Sequence, residues 1–284
     1  MKQKSIKTIV RPTAVSEGAG VTVHRTIGTS ALRFLDPFLM LDHFSSDDPD
    51  DYIAGFPNHP HRGFVTFTYM LAGHLQHRDS MGNQGDLRAG AAQWMKAASG
   101  IIHSEMPQQT NGLMRGFQLW INLPAKEKMT APAYQEFAPD AFPVVEARGA
   151  KVRVLIGDYN GTAAPVKDPH THAQFLDVEL AANTEFVQAL DERFASFVYV
   201  FDGSLELGST PLPQHTFAAF GEGDVLKLRA GNKGGRFIFV AGQPIGEPVV
   251  QGGPFVMNTE QEIHQAFEDY KNGRLVQKKA EFVS

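Results

Sequence analysis

Four side chains stand out in this sequence for the chemistry that their types and spacing permit: His59, His61, His103 and Glu105. His59 and His61 are separated by one residue, and so are His103 and Glu105. Residues i and i+2 of a strand project from one face, so each pair offers two ligand atoms in the same direction. Two neighbouring strands would bring all four to one point. Neutral imidazole suits iron, nickel, copper and zinc, while a carboxylate adds negative charge for a divalent ion. Three imidazoles and one carboxylate leave two positions of an octahedral ion open, room for a substrate oxygen and dioxygen side by side. This is one ligand more than the two-His, one-carboxylate triad of non-haem iron oxygenases. A closed structural zinc site normally uses cysteine, and the sequence has none. Taken alone, a His-x-His on a strand is commonly a pair of surface or core histidines, and it is the second pair that raises the metal reading above that one.

The elements that must position these residues read as short strands. Phe64–Leu71 is rich in β-branched and aromatic residues and stops at Gly73; Phe117–Leu123 stops at Pro124. In the second half Phe197–Phe201 runs into Asp202-Gly203 and then Leu205–Leu207, which reads as a hairpin. Phe175–Leu180 and Arg236–Gly242 are further strands. Many short strands with regular turn signals point to an all-β barrel or sandwich rather than to βαβ units. Four prolines between 124 and 143, with little periodicity, mark a linker with one helical turn around Lys126–Met129. The expected organisation is an N-terminal domain over 1–124, a linker over 125–143 and a C-terminal domain over 144–284. The two halves have similar texture, which suggests duplication of one β domain. Thr259 and Glu262 have the spacing of a capping box, and Ile263, Ala266, Phe267 and Tyr270 follow at helical intervals up to Gly273, so a C-terminal α-helix closes the chain.

Composition bounds the function. The 284 residues suit two domains. With 26 basic against 31 acidic side chains the net charge is −5, which gives no footprint for direct nucleic-acid binding. The absence of cysteine excludes disulfides, thiolate zinc sites and cysteine nucleophiles. No apolar run approaches the roughly 18 residues of a membrane span, and the basic start MKQKSIKTIVRP lacks the apolar core of a signal peptide. A cytoplasmic protein without a membrane partner is expected.

The stretch Phe56-Pro57-Asn58-His59-Pro60-His61-Arg62-Gly63-Phe64 resembles the signature of the pirin family of the cupin superfamily. So do Gln93-Trp94-Met95, Gly100–Pro107, Gln118–Leu123, Asp36–Phe44 and Phe255–Thr259, so the resemblance covers nearly the whole chain. It implies two cupin (double-stranded β-helix) barrels facing each other, with metal in the N-terminal one alone. It implies ligation of one divalent ion, usually Fe(II), by His59, His61, His103 and Glu105; Ni, Co, Mn, Cu and Zn remain open. It further implies quercetin 2,3-dioxygenase activity in several members, acting on a flavonol with O2, and protein-binding regulatory roles in others. In the first case Glu105 serves as ligand and general base; in the second a redox-sensitive metal site tunes affinity for a transcription factor or metabolic enzyme. A cupin sugar isomerase is a third reading. One departure matters: the general cupin pattern places a carboxylate three or four residues beyond the second histidine, where this sequence has Val65 and Thr66, so the acidic ligand must be Glu105.

Other histidines are weighed against the same chemistry. His170 and His172 form a second His-x-His, but Gly223–Leu228, the plausible partner strand, offers no histidine, and His215 sits in an apparent loop. This half is read as a barrel without metal. His74 and His77 are read as solvated residues flanking a hairpin, with a place on the site's rim as the alternative. Trp94, Met95, Phe64 and Trp120 are core, with one or two of them available as a wall for a flat aromatic substrate. Arg62 either orients a ligand or is simply a charged strand residue.

Overall fold

The computed structural model describes residues 2–277, so Met1 and 278–284, the extreme ends of the two expected domains, lie outside the described residues. Among the described residues the chain forms antiparallel sheets with one α-helix, and it divides into two compact units that interleave along the sequence. One unit takes Thr13–Phe34, Phe38–Pro139 and, of the described residues, 245–277. The other takes 2–12, Leu35–Pro37 and Asp140–Pro244.

The first unit holds two main sheets, besides the two-stranded pair Val250–Gly252 and Phe255–Met257. The larger runs in the order Ala133–Phe137, Ala92–Lys96, Phe64–Ala72, Met114–Asn122, Phe38–Ser46, Val21–Arg25 and Thr13–Glu17. The smaller runs Phe56–His61, Ile101–Pro107, His74–Asp79 and Gln84–Arg88. The two share one core: Val21, Val23, Phe44, Met70 and Met114 from the larger sheet pack with Leu75 and Leu87 from the smaller. Phe64–Ala72 is central, and its first seven residues are buried, which explains why it reads as an unbroken apolar and β-branched run rather than as an alternation. Residues 125–143 are more than a passive connection. A 3-10 turn at Ala125–Glu127 is followed by strand Ala133–Phe137, which pairs with Ala92–Lys96 and completes the larger sheet.

The C-terminal helix spans Glu260–Lys271. Thr259 caps it by accepting from the Glu262 N–H, while the Glu262 side chain accepts from the Thr259 N–H. Its buried face is Ile263, Ala266 and Asp269; Phe267 and Tyr270, expected on that face, are 44% and 41% exposed. Asp269 is drawn inward because a buried cation, Arg62, needs its charge.

In the other unit, Ala195–Leu207 and Val225–Gly242 pair over most of their length and carry the core with Gln174–Leu180 and Ala150–Ile156. The hairpin expected at Asp202-Gly203 does not form. The strand continues through it with register shifts on both sides, and Gly203 takes φ +67° where a Cβ would lie 2.3 Å from the Gly234 carbonyl. Dihedral freedom at Asp-Gly is used for a bulge in a continuing strand, and the reversal comes after Leu207.

Candidate metal centre

His59 and His61 end the edge strand Phe56–His61, and His103 and Glu105 lie on its neighbour Ile101–Pro107. The register sets His103 opposite His59 and Ile101 opposite His61, so three rings meet on one face. Ring centroids stand 4.8 Å apart for His59 and His61, 4.3 Å for His59 and His103, and 5.0 Å for His61 and His103. One nitrogen from each lies within 4.8 Å of the others, and no other such group of three occurs among the described residues.

Backbone carbonyls fix two of the tautomers. His59 Nδ1–H donates to the Pro57 carbonyl at 2.8 Å, and His61 Nδ1–H donates to the Pro254 carbonyl at 3.3 Å. With Nδ1 carrying the hydrogen, Nε2 presents a lone pair. His103 Nε2 is buried and has no hydrogen-bond partner among the described residues. Burial, reinforced by the neighbouring His59, pushes the His61 and His103 imidazoles well below their ordinary range, so both are neutral. Neutral, convergent imidazoles are the form that binds metal, and a buried unpaired nitrogen is costly without a partner. The donor set therefore fits a divalent cation.

Glu105 is held beside this group and does not join its tightest cluster. The pairing shifts register between His103 and Glu105, a bulge of the kind that re-aims a side chain next to a site. Its Oε1 accepts from Gln93 Nε2 and, at 3.2 Å, from Thr68 Oγ1; its Oε2 accepts from Gln118 Nε2 at 2.9 Å. The Gln118 amide is itself oriented, because its Oε1 accepts from Trp120 Nε1 at 3.3 Å. The cage comes from the larger sheet: Thr68, Gln93 and Gln118 lie on three adjacent strands and face the smaller sheet across the core.

A cavity of about 570 Å³ opens on His59, His61 and Glu105. Val23, Met40, Leu75 and Trp120 give it apolar walls, and Arg25 and Asp42 are also exposed to it. Trp120 stacks on Phe64 at 4.1 Å and meets the edge of the His61 ring at 5.1 Å, so it is both core and wall. Arg25 is bidentate to Asp42, at 2.8 and 2.7 Å, and pairs with Glu17, so its charge is matched within the cavity lining.

Residues 20–121 match the family Pirin and residues 175–276 match the Pirin C-terminal cupin domain. A Pseudomonas aeruginosa protein named "Putative quercetin 2,3-dioxygenase" is 47% identical over 268 residues, covering 92% of this chain and 94% of its own. The chain belongs to the pirin family. A Caulobacter vibrioides protein named "Pirin-like protein" is 44% identical over 277 residues, covering 96% of this pirin and 100% of its own length. The crystal structure of quercetin 2,3-dioxygenase from Acinetobacter baumannii matches with a TM-score of 0.89 at 29% identity, over 96% of this pirin and 98% of that chain. This pirin is thus a bicupin, all-β but for its helix, and the histidine cluster belongs to the cupin domain that begins near residue 20.

The remaining sequence expectations fall out differently. Val65 is buried in the central strand and offers no ligand, as its side chain requires. His170 and His172 stand in a turn, where Asp168 Oδ1 accepts from the His170 N–H at 3.0 Å, and His172 is exposed at φ +48°. Neither joins a cluster of metal-type ligands. Arg62 is fully buried and holds the C-terminal segment. His77 is the clear miss: instead of a solvated turn residue it is a 0% exposed member of strand His74–Asp79. His77 and Asp79 repeat the i, i+2 spacing that singled out the other pairs, so a strand boundary drawn at His74 would have found them. Gln93 and Gln118 have no ligand-type spacing; each stands first in a segment that resembles the family signature, without a role being read from it.

No helix among the described residues is long and apolar enough to cross a membrane.

Proposed function

We propose that this pirin is a metal-dependent dioxygenase that cleaves a flavonol such as quercetin with O2, working in the cytoplasm with Fe(II) at the site. His59, His61 and His103 hold the metal through Nε2, with Glu105 as the acidic partner. The observation that carries this reading is the meeting of three convergent imidazoles with a caged carboxylate, His59, His61 and Glu105 among them lining a cavity of about 570 Å³. That volume lies inside the roughly 300–1,000 Å³ of small-molecule sites, and a sealed or shallow site would instead have suited a purely regulatory role.

A bound divalent metal supplies Lewis acidity, which lowers the pKa of a coordinated substrate hydroxyl. The protein supplies the rest. Trp120 and Met40 receive the flat aromatic rings and exclude water from the reacting face. Glu105 takes the hydroxyl proton, and the Gln93 and Gln118 amides hold its carboxylate ready at a fixed position.

The test is anaerobic quercetin binding followed by admission of oxygen, with protein loaded in turn with iron, nickel, cobalt and manganese. Substrate-dependent oxygen uptake by at least one form is expected. No uptake by any of the four sinks the assignment.

A further inference from the structure

We propose that His77 is a positioning residue: the chain Asp79–His77–His103 fixes the tautomer and aim of the His103 ring so that its Nε2 faces the cation site. The proposal rests on the metal reading of the site given above, and goes beyond it by assigning a role to two residues outside the ligand set, His77 and Asp79.

The chain is anchored at Asp79. Its Oδ1 accepts from the backbone N–H of Met81 at 2.8 Å and of Asn83 at 3.1 Å; its Oδ2 accepts from Asn83 Nδ2 at 2.9 Å and lies 3.1 Å from His77 Nε2. Burial alone would raise this carboxyl, but the hydrogen bonds from His77, Asn83 and Met81 outweigh it and hold it below its ordinary range. A carboxylate only accepts, so His77 Nε2 carries the hydrogen and, in the neutral ring, Nδ1 does not. His103 Nδ1 lies 3.4 Å from His77 Nδ1. Two bare nitrogens would repel, so His103 Nδ1–H donates, and its Nε2 is left with a lone pair. That is the buried atom without a partner. A carbonyl does the same work for His59 and for His61; His103 alone relies on a side-chain relay.

The surroundings are built to hold this relay still. Tyr134, from the strand that completes the larger sheet, stacks on the His77 ring with centroids 4.3 Å apart and planes 16° from parallel. Gly85 is paired directly opposite His77, and a Cβ there would lie 2.1 Å from the Tyr134 hydroxyl oxygen. That hydroxyl also reaches Gln93 Oε1 at 3.3 Å and Glu136 Oε2 at 3.1 Å, its one hydrogen shared between them. Tyr134 therefore touches both supports of the site, His77 behind His103 and Gln93 behind Glu105. Partners of this kind, which orient a metal-binding histidine through its other nitrogen, typically change metal affinity by about 10–100-fold when removed.

The experiment has two parts. Two-bond proton–nitrogen NMR of metal-free protein labelled with 15N-histidine reads the tautomers directly in the wild type. His103 with hydrogen on Nδ1, and His77 with hydrogen on Nε2 alone, are expected; His103 with hydrogen on Nε2, or a doubly protonated His77, overturns the relay. Cobalt(II) titration then compares wild type with His77→Phe, which keeps a ring for Tyr134 but loses both hydrogen bonds, and with His77→Gln, whose amide can donate to Asp79 and accept from His103. Cobalt affinity about 10–100-fold weaker in His77→Phe, with most of it restored in His77→Gln, is expected. Equal affinity in wild type and a folded His77→Phe overturns the proposal. No cobalt binding by the wild type itself sinks the metal reading and the purpose assigned to the relay, and it is told apart by tautomers that still follow the expected pattern.

Discussion

Glu105 shows how a residue legible from its spacing depends on neighbours that are not. The i, i+2 pattern singled out Glu105 beside His103, but nothing local connects it to Gln93 and Gln118, which arrive from two strands of the opposite sheet. Both Glu105 oxygens are buried acceptors facing amide and hydroxyl donors. Glu105→Gln replaces one acceptor oxygen with an NH2 group, which then faces either the Gln93 or the Gln118 NH2. One buried donor is left without an acceptor, at a cost of about 1–3 kcal/mol. Urea unfolding of metal-free protein should show a lower midpoint with an unchanged slope. Undiminished stability would mean that the cage does not hold the carboxylate as described.

At the scale of elements, the strand that carries His59 and His61 is a weak support on its own. Phe56–His61 is at the sheet edge and pairs with one neighbour only. Its outgoing end is clamped by chain from almost two hundred residues later. The Val256 N–H donates to the Arg62 carbonyl at 3.0 Å, and Pro254 accepts from His61. The Arg62 guanidinium reaches Asp269 at 2.8 Å, the Ser99 carbonyl at 2.7 Å and the Leu275 carbonyl at 3.4 Å. Gly63 takes φ +94°, and a Cβ there would lie 1.9 Å from the Val256 carbonyl, so the approach admits no side chain. The helix and its cap were legible from Thr259 and Glu262 because capping is local chemistry. Its buried face was not: Arg62 sets that face, and the pattern of the helix alone does not contain Arg62. Asp269→Ala leaves the Arg62 charge buried and unpaired, and should cost about 3–5 kcal/mol in thermal or urea unfolding. Pairing it with Arg62→Met removes the stranded charge and should recover much of the loss. A double variant as unstable as the single would show that the charge pair is not what fastens the helix.

At the scale of the whole molecule, most strands and the i, i+2 pairs of ligand-type residues follow from patterns within about ten residues, and these are the features the sequence discloses. Contacts between segments far apart leave no such trace, and Lys128 is the sharpest case. It falls in a proline-rich stretch that reads as a linker, yet it is 1% exposed. Its Nζ donates to Asn122 Oδ1 at 2.6 Å, to the Gly63 carbonyl at 2.7 Å and to the Val256 carbonyl at 3.0 Å, tying three distant parts of the chain together. Burial pushes this amine down from its ordinary value to about 7, against the opposing pull of Glu247 and Glu262. The consequence for stability has a definite sign. Below pH 7 Lys128 is protonated in both the folded and the unfolded chain, and stability does not depend on its titration. Between pH 7 and its ordinary value of 10.5 the unfolded chain still holds the proton and the folded one has released it. The folded state binds fewer protons, so stability climbs with pH across that window, by up to about 1.4 kcal/mol per pH unit. Lys128→Met deletes this one contribution and leaves every other titrating group in place. Urea unfolding of both proteins from pH 6 to pH 10 should therefore give curves whose separation is constant up to about 7 and then changes steadily in favour of the wild type. Parallel curves across the whole range would show that the ammonium persists in the fold, held by its three oxygens against the cost of burial.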